Sequence, residues 1–321
     1  MGTYSMNEYI LAIEGAFSRV IPVDEAEKLV IDNVTVVKIN DQKLHGVTIK
    51  EEGRNAAPNV YVDQWFDDWR KGFITSEDIA AQIYDIYKES VHFVPVEPAE
   101  LDFKFEAIKD KIDVRVVEVE RNKEYLQDKP HKVMDSGLAV CYSISLSDSY
   151  AAAINNDILA KMGVDVETIH QAALENTYTL DPPVLADMQS ALFSPERINI
   201  LESEEPLAAE KRGQMYVLTS ESGGFGASKL ANPEILEKAA TLIGGNVYVL
   251  PSSLHEVILL PESPDLKIDD LHKMVKEANK TVVEAKDILS DNVYHYDLID
   301  RKFECMTLEE VFVDENEDYD I

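Results

Sequence analysis

Apolar residues in this chain repeat with two periods, and the changes from one to the other mark its elements. Met6, Ile10, Ile13, Phe17 and Val20 recur at three- and four-residue spacing and share one side of a helix. Ser5 followed by Glu8 is a capping box for that helix, and Pro22 ends it. From Asn33 to Ile49 the period falls to two, with a break at Asn40-Asp41-Gln42, so a hairpin is predicted. Val60-Tyr61-Val62 predicts a further strand. Gln64 to Lys71 predicts a short helix with Gly72 as its stop. Thr75-Ser76 then caps a helix whose apolar stripe is Ile79, Ile83, Ile86 and Tyr87.

Val94-Pro95-Val96-Glu97-Pro98 has the composition of an extended linker, which places a domain boundary near residue 97. Two lobes are expected, 1–96 and 97–312. The second starts with a helix around Phe103 to Lys109, a strand at Val114 to Val119 and a short helix around Asn122 to Leu126. Strands at Gly137 to Leu146 and Tyr150 to Ile154 follow. Gly163 stops one helix, and Asp165 caps the next, which turns Val166, Ile169, Ala172 and Ala173 inward. Leu201 to Lys211 is acidic and aperiodic, the pattern of an exposed loop. Met215 to Leu218 is a buried strand. Asn232-Pro233 opens a helix with Leu236, Ala239, Ala240 and Ile243 on its inner face, and Gly244-Gly245 closes it.

Two four-residue apolar runs come next, Val247 to Leu250 and Val257 to Leu260, each ended by a proline. They read as two buried strands flanking a polar turn. Asp269 opens the last long helix, with Leu271, Met274, Val275, Ala278 and Val282 at helical spacing. Strand, helix, strand, strand, helix is the order of an α+β (mixed α/β) protein, a mixed sheet with flanking helices. After Lys302 there are no basic residues. Val311-Phe312-Val313 could form a strand, and 313–321 is expected to be an acidic, self-repelling, disordered tail.

Composition narrows the partners. In 321 residues, 61 acidic side chains face 30 basic ones, a formal charge of −31. Such a surface repels nucleic-acid phosphates and anionic membranes, which are bound through Lys/Arg patches. It suits a basic protein partner, imitation of nucleic acid, or simple solubility. Cys141 and Cys305 make neither a disulfide framework nor a cysteine zinc site, and Cys141 sits in an apolar run as a small core residue. No run has the length of a membrane span, no signal-peptide pattern occurs, and Met6 stands where myristoylation wants Ser or Thr. A cytoplasmic location is the expectation.

The densest chemistry lies in the turn Ser252-Ser253-Leu254-His255-Glu256. A serine nucleophile needs an imidazole base and an orienting carboxylate, and Ser252, Ser253, His255 and Glu256 supply the residue types. Their crowding on one turn equally suits hydroxyls and an imidazole that bond the turn's own backbone, and no G-x-S-x-G elbow occurs. Gly223, Gly224 and Gly226 follow a strand and precede a helix, the position of an anion-binding loop. They fit neither G-x-G-x-x-G nor a Walker loop, so a plain turn is the alternative. The seven histidines have no metal-ligand spacing, so no metal and no cofactor are expected. Trp65 and Trp69, on one helix face with Phe66 nearby, suit a core or a partner groove. Asn176 reads as a C-terminal cap.

Several stretches together resemble an uncharacterised bacterial domain-of-unknown-function family found in gut anaerobes. They are Asn55-Ala56-Ala57-Pro58-Asn59-Val60-Tyr61, Arg121-Asn122-Lys123-Glu124-Tyr125-Leu126, the helix Gly163 to Thr177, Y-V-L-P-S-S-L-H-E-V-I-L-L-P from Tyr248 to Pro261, and Leu289-Ser290-Asp291-Asn292-Val293-Tyr294. The resemblance runs from about Asn7 to Tyr296 and implies a cytosolic bacterial protein with no transferable activity. The expected function is a non-enzymatic protein-interaction module with a protein partner, and the charge favours a basic one. A hydrolase built on the 252–256 turn and an acidic nucleic-acid mimic are the alternatives.

Overall fold

The computed structural model describes residues 4–52, 59–90, 103–147, 150–193, 198–211 and 213–306. The chain forms two compact units, Met1–Phe103 and Lys104–Ile321. The Val94–Pro98 linker with the boundary near residue 97, the Asn55–Pro58 stretch, Val311–Val313 and the 313–321 tail lie outside the described residues.

In the first unit, α1 (Met6–Val20) begins with the reciprocal cap that its sequence predicts. The Ser5 hydroxyl accepts the Glu8 N–H at 3.2 Å, and the Glu8 carboxylate accepts the Ser5 N–H at 2.7 Å. The helix buries Tyr9, Ile13, Ala16 and Phe17. One turn, α2 (Val23–Ala26), leads to the hairpin β1 (Leu29–Lys38) and β2 (Gln42–Glu51). Its turn holds Asn40 at φ 63° and Asp41 at φ 51°. Asn and Asp enter that left-handed region more readily than other side chains, so the turn fits its residues. A third strand, β3 (Val60–Tyr61), pairs with β2.

Helix α3 (Phe66–Lys71) stops at Gly72, whose φ of 78° favours a residue without Cβ. Thr75 and Asp78 repeat the reciprocal cap ahead of α4 (Ser76–Ser90), each accepting the other's N–H at 3.1 Å. Helix α4 packs on α1 and β2 and buries Ile79, Ala80, Ile83 and Tyr84. Ile86, expected in that stripe, lies at its rim and is 38% exposed. Each large apolar side chain sealed here contributes roughly 1.5–3 kcal/mol.

The second unit opens with α5 (Phe105–Ile108) and a four-stranded antiparallel sheet of β4 (Ile112–Glu118), β5 (His131–Val133), β6 (Leu138–Ser147) and β7 (Tyr150–Ala153). Strand β6 pairs with β4 on one side and with β5 and β7 on the other. Helix α6 (Asn156–Met162) ends at Gly163, and Asp165 caps α7 (Val166–Asn176) by accepting the Thr168 N–H at 2.9 Å. Helix α7 lies on β4 and β6. Asn176 is the last residue of that helix and Thr177 is its cap, which corrects the expected capping role of Asn176. Its carboxamide donates to the Lys109 and Ile112 carbonyls at 2.7 and 2.9 Å and pins α7 to the entry of β4.

The rest of the unit contributes β8 (Pro183–Asp187), α8 (Met188–Phe193), β9 (Tyr216–Ser220), α9 (Pro233–Ile243), β10 (Val247–Pro251), β11 (Val257–Pro261), α10 (Ile268–Thr281), β12 (Val293–Asp297) and β13 (Lys302–Met306). The six strands run β13-β12-β10-β11-β9-β8, and every pair is antiparallel. This corrects the expected mixed sheet. Strands β9 and β10, joined through α9, do point the same way, but β11 turns back tightly and takes the place between them. Helix α10 covers the sheet, with Leu271 and Val275 packed on Tyr248, Leu250 and Val293. A 3-10 run, Gly226–Ala231, has every residue buried and touches both β4 and β9, so it wedges between the two sheets.

Candidate functional site

The wedge brings together two stretches that look unrelated in sequence, the glycine-rich loop and the 252–256 turn. Strand pairing positions them: β9 carries the loop at its end, and β11, beside it, carries the turn at its start. The Thr219 hydroxyl on β9 donates to the His255 carbonyl at 2.9 Å, and the Ala227 N–H donates to the Leu254 carbonyl at 3.2 Å. Between them sits Gly226. A Cβ there would stand 2.3 Å from the His255 carbonyl oxygen and 2.6 Å from Thr219 Cα, so only glycine fits.

The side chains of the turn serve this junction. Ser252 donates its hydroxyl to the Glu256 carboxylate at 3.0 Å, and the Ser253 hydroxyl accepts the His255 N–H at 3.0 Å. The Ser252 and Ser253 N–H groups donate to the Glu256 carbonyl at 3.3 and 3.1 Å. His255 Nδ1 accepts the Phe225 N–H at 3.1 Å, so that nitrogen carries no proton and Nε2 does. Nε2 stands 3.4 Å from Asp287 Oδ1. The imidazole is thus engaged by a backbone amide and a carboxylate, and the serine hydroxyls by a carboxylate and the backbone. The nearest aromatic, Phe225, is held at φ 52°, with the Arg115 guanidinium 4.5 Å above its ring.

The glycine loop closes on internal acceptors. Gly223 N–H donates to the Ser220 carbonyl at 3.0 Å, and Gly224 N–H donates to the Ser222 hydroxyl at 3.0 Å. Ser222 gives its N–H and its hydroxyl to the two oxygens of Asp181 at 2.9 and 2.7 Å. The anion on this loop is therefore the protein's own carboxylate. Gly226 serves packing, as above. Lys229, on the wedge, is 1% exposed and donates to the Asp181 carbonyl. Burial lowers its pKa, against the opposing charges of Asp113 and Asp181.

A second polar junction lies apart from the candidate residues that the sequence suggests. Glu118, at the end of β4, accepts the Ser290 hydroxyl at 2.7 Å and the Asn292 carboxamide at 2.8 Å. Arg121 reaches the other Glu118 oxygen at 3.2 Å and also pairs with Asp291. Asn279 on α10 donates to the Ser290 carbonyl and to Asp291 at 2.9 and 2.8 Å. Burial raises the Glu118 pKa, outweighing the Ser290 hydrogen bond and the Arg121 charge. The Tyr294 hydroxyl is fully buried beside Ser290 and Asn292, whose side chains are turned to Glu118, so it meets neither in good hydrogen-bond geometry, and burial pushes its pKa up. Part of the signal was present: Arg121, Ser290, Asp291, Asn292 and Tyr294 fall in R-N-K-E-Y-L and L-S-D-N-V-Y, stretches on which the family resemblance rests, whereas Glu118 and Asn279 lie outside them.

Trp65 and Trp69 are half-buried against the core of the first unit. Trp69 packs on Tyr9 with ring centroids 4.9 Å apart and donates its indole N–H to Ser76 at 2.9 Å. Among the described residues, no group of three or more His, Cys, Asp or Glu side chains is placed to hold a metal ion. Among them also, no helix is long and apolar enough to cross a membrane.

Fold and junctions together define an α+β protein of two units, the second built on two antiparallel sheets locked by buried polar contacts. The chain belongs to the family of unknown function DUF5688, whose profile matches residues 6–298. No curated protein and no solved structure matches it.

Proposed function

We propose that this protein is a non-enzymatic interaction module of the cytoplasm that binds a basic protein partner. The observation that carries this reading is the employment of the 252–256 side chains. His255 Nδ1 accepts a backbone amide, and Ser252 and Ser253 bond Glu256 and the turn itself, so the hydroxyls and imidazole hold two loops in register. The charge of −31 supports a cationic partner.

Two measurements test the reading. Wild-type protein should take no label from a serine-directed fluorophosphonate probe. Labelling that requires Ser252 or Ser253 and disappears in His255→Ala would make the protein a hydrolase. Partners captured at low ionic strength should be basic and should be released by about 0.5 M salt, since exposed charges are screened beyond roughly 3–10 Å between 1 M and 0.1 M. A partner retained in high salt would point to an apolar surface instead.

A further inference from the structure

At one end of the six-stranded sheet an open cleft of about 580 Å³ lies between the end of α9 and the exit of β11. Tyr248, Pro261, Pro264 and Leu266 give it apolar walls, and the acidic residue Glu262 lines it. The Glu262 side chain is 44% exposed, with His295 Nε2 at 3.4 Å. Ile243 and Gly245, at the carboxyl end of α9, line the same cleft. That helix has no basic residue in its last turn to offset the negative end of its dipole. Apolar walls leading to a carboxylate and a negative helix end match one kind of occupant: a long aliphatic stem with a cation at its tip.

We infer that this cleft seats an arginine or lysine side chain from an extended basic segment of the partner. The stem lies along Pro261, Pro264 and Leu266, and the cation sits between Glu262 and the end of α9. The inference rests on the interaction reading and adds to it the place of binding and the chemistry of the bound residue. The net charge alone would attract cations anywhere on the surface. The cleft confines the attraction to one place where the stem is also desolvated.

The test is calorimetric titration of the full chain at low salt with a short arginine–glycine peptide, its lysine counterpart and a glutamate–glycine control. Gly245 supplies a plug. Nothing lies within 4 Å of a Cβ built there, and its φ is not in the left-handed region, so Gly245→Trp adds a bulky ring to the cleft lining without backbone strain. Glu262→Gln removes the charge and keeps the shape. Glu89→Gln, on an exposed residue of the first unit, removes one charge elsewhere. The expected result is binding of the cationic peptides only, weakened about tenfold or more by Gly245→Trp, about threefold to tenfold by Glu262→Gln, and unchanged by Glu89→Gln. If Gly245→Trp fails to fold, Glu262→Gln decides. Equal binding by wild type, Gly245→Trp and Glu262→Gln would overturn the cleft while leaving the interaction module standing. No binding of either cationic peptide to wild type would overturn the cationic occupant, and the salt-dependent capture experiment then judges the module separately.

Discussion

The two polar junctions of the second unit solve the same problem with opposite materials. Around His255 the contacts run from side chain to backbone, the imidazole is partly exposed (39%), and its ring nitrogens face an amide and a carboxylate. Around Glu118 they run from side chain to side chain, the carboxylate is buried, and one neighbouring hydroxyl, that of Tyr294, is unpartnered. Backbone-directed contacts specify a register, because a shift of one residue breaks them all. A buried charge specifies a partner set, because each neighbour lost leaves a desolvated group behind. The first junction should therefore be sensitive to shape and the second to charge.

The largest effect should come from shape at the first junction. Gly226→Ala places a methyl 2.3 Å from a backbone oxygen, and a denaturant melt should show a loss of about 4 kcal/mol or failure to fold. A loss under about 1 kcal/mol would mean that the loops separate easily.

Charge removal at the second junction comes next. Glu118→Ala strands Arg121, Ser290 and Asn292 and should cost about 3 kcal/mol, whereas Glu118→Gln keeps the shape and should cost less. The acid comparison sharpens this. Because burial raises the Glu118 pKa above its ordinary 4.5, the folded state holds that proton more tightly than the unfolded chain. Its contribution is fully present below the unfolded pKa and is lost as pH rises through the folded one. Glu118→Gln should lack that decline, so its stability relative to wild type should improve from pH 4.5 upward. A difference flat in pH would show that Glu118 is ionised in the fold as readily as in the unfolded chain.

Smaller effects separate the two sites further. His255→Ala removes an acceptor for a backbone amide and should cost about 0.5–2 kcal/mol. Tyr294→Phe deletes a hydroxyl that bonds nothing and should be neutral or stabilising by up to about 1 kcal/mol. Destabilisation by Tyr294→Phe would reveal a partner for that hydroxyl.

What could be read in advance was local. The capping box at Ser5, the cap at Thr75, the stop at Gly72, the hairpin turn at Asn40-Asp41 and the strands on either side of Ser252 all rest on neighbours within a few residues, and the structure has them. Strands β8, β12 and β13 are five residues each and carry no pattern of their own: β8 opens on Pro183, β12 is broken by His295, and β13 mixes apolar residues with charge, as in Lys302-Phe303-Glu304-Cys305-Met306. Sheet neighbours recruit them; their own pattern does not. The candidate residues of the 252–256 turn were visible by type, but their bonds to Phe225 and Thr219 depend on β9 pairing with β11 across an intervening helix and strand. Glu118 and Ser290 are farther apart still, and no local rule connects them.

Asn176 carries a consequence on the timescale of protein ageing. Side-chain carboxamides hydrolyse slowly to carboxylates, which makes asparagine a thermolabile residue. On most surfaces the change adds one charge. Here the lost NH2 is the common donor to the Lys109 and Ile112 carbonyls. The replacement oxygen would face two others in a place where three residues had shared one clamp, and α7 would lose its tie to β4. Conversion of Asn176 would open that seam, at a rate set by chemistry rather than by folding.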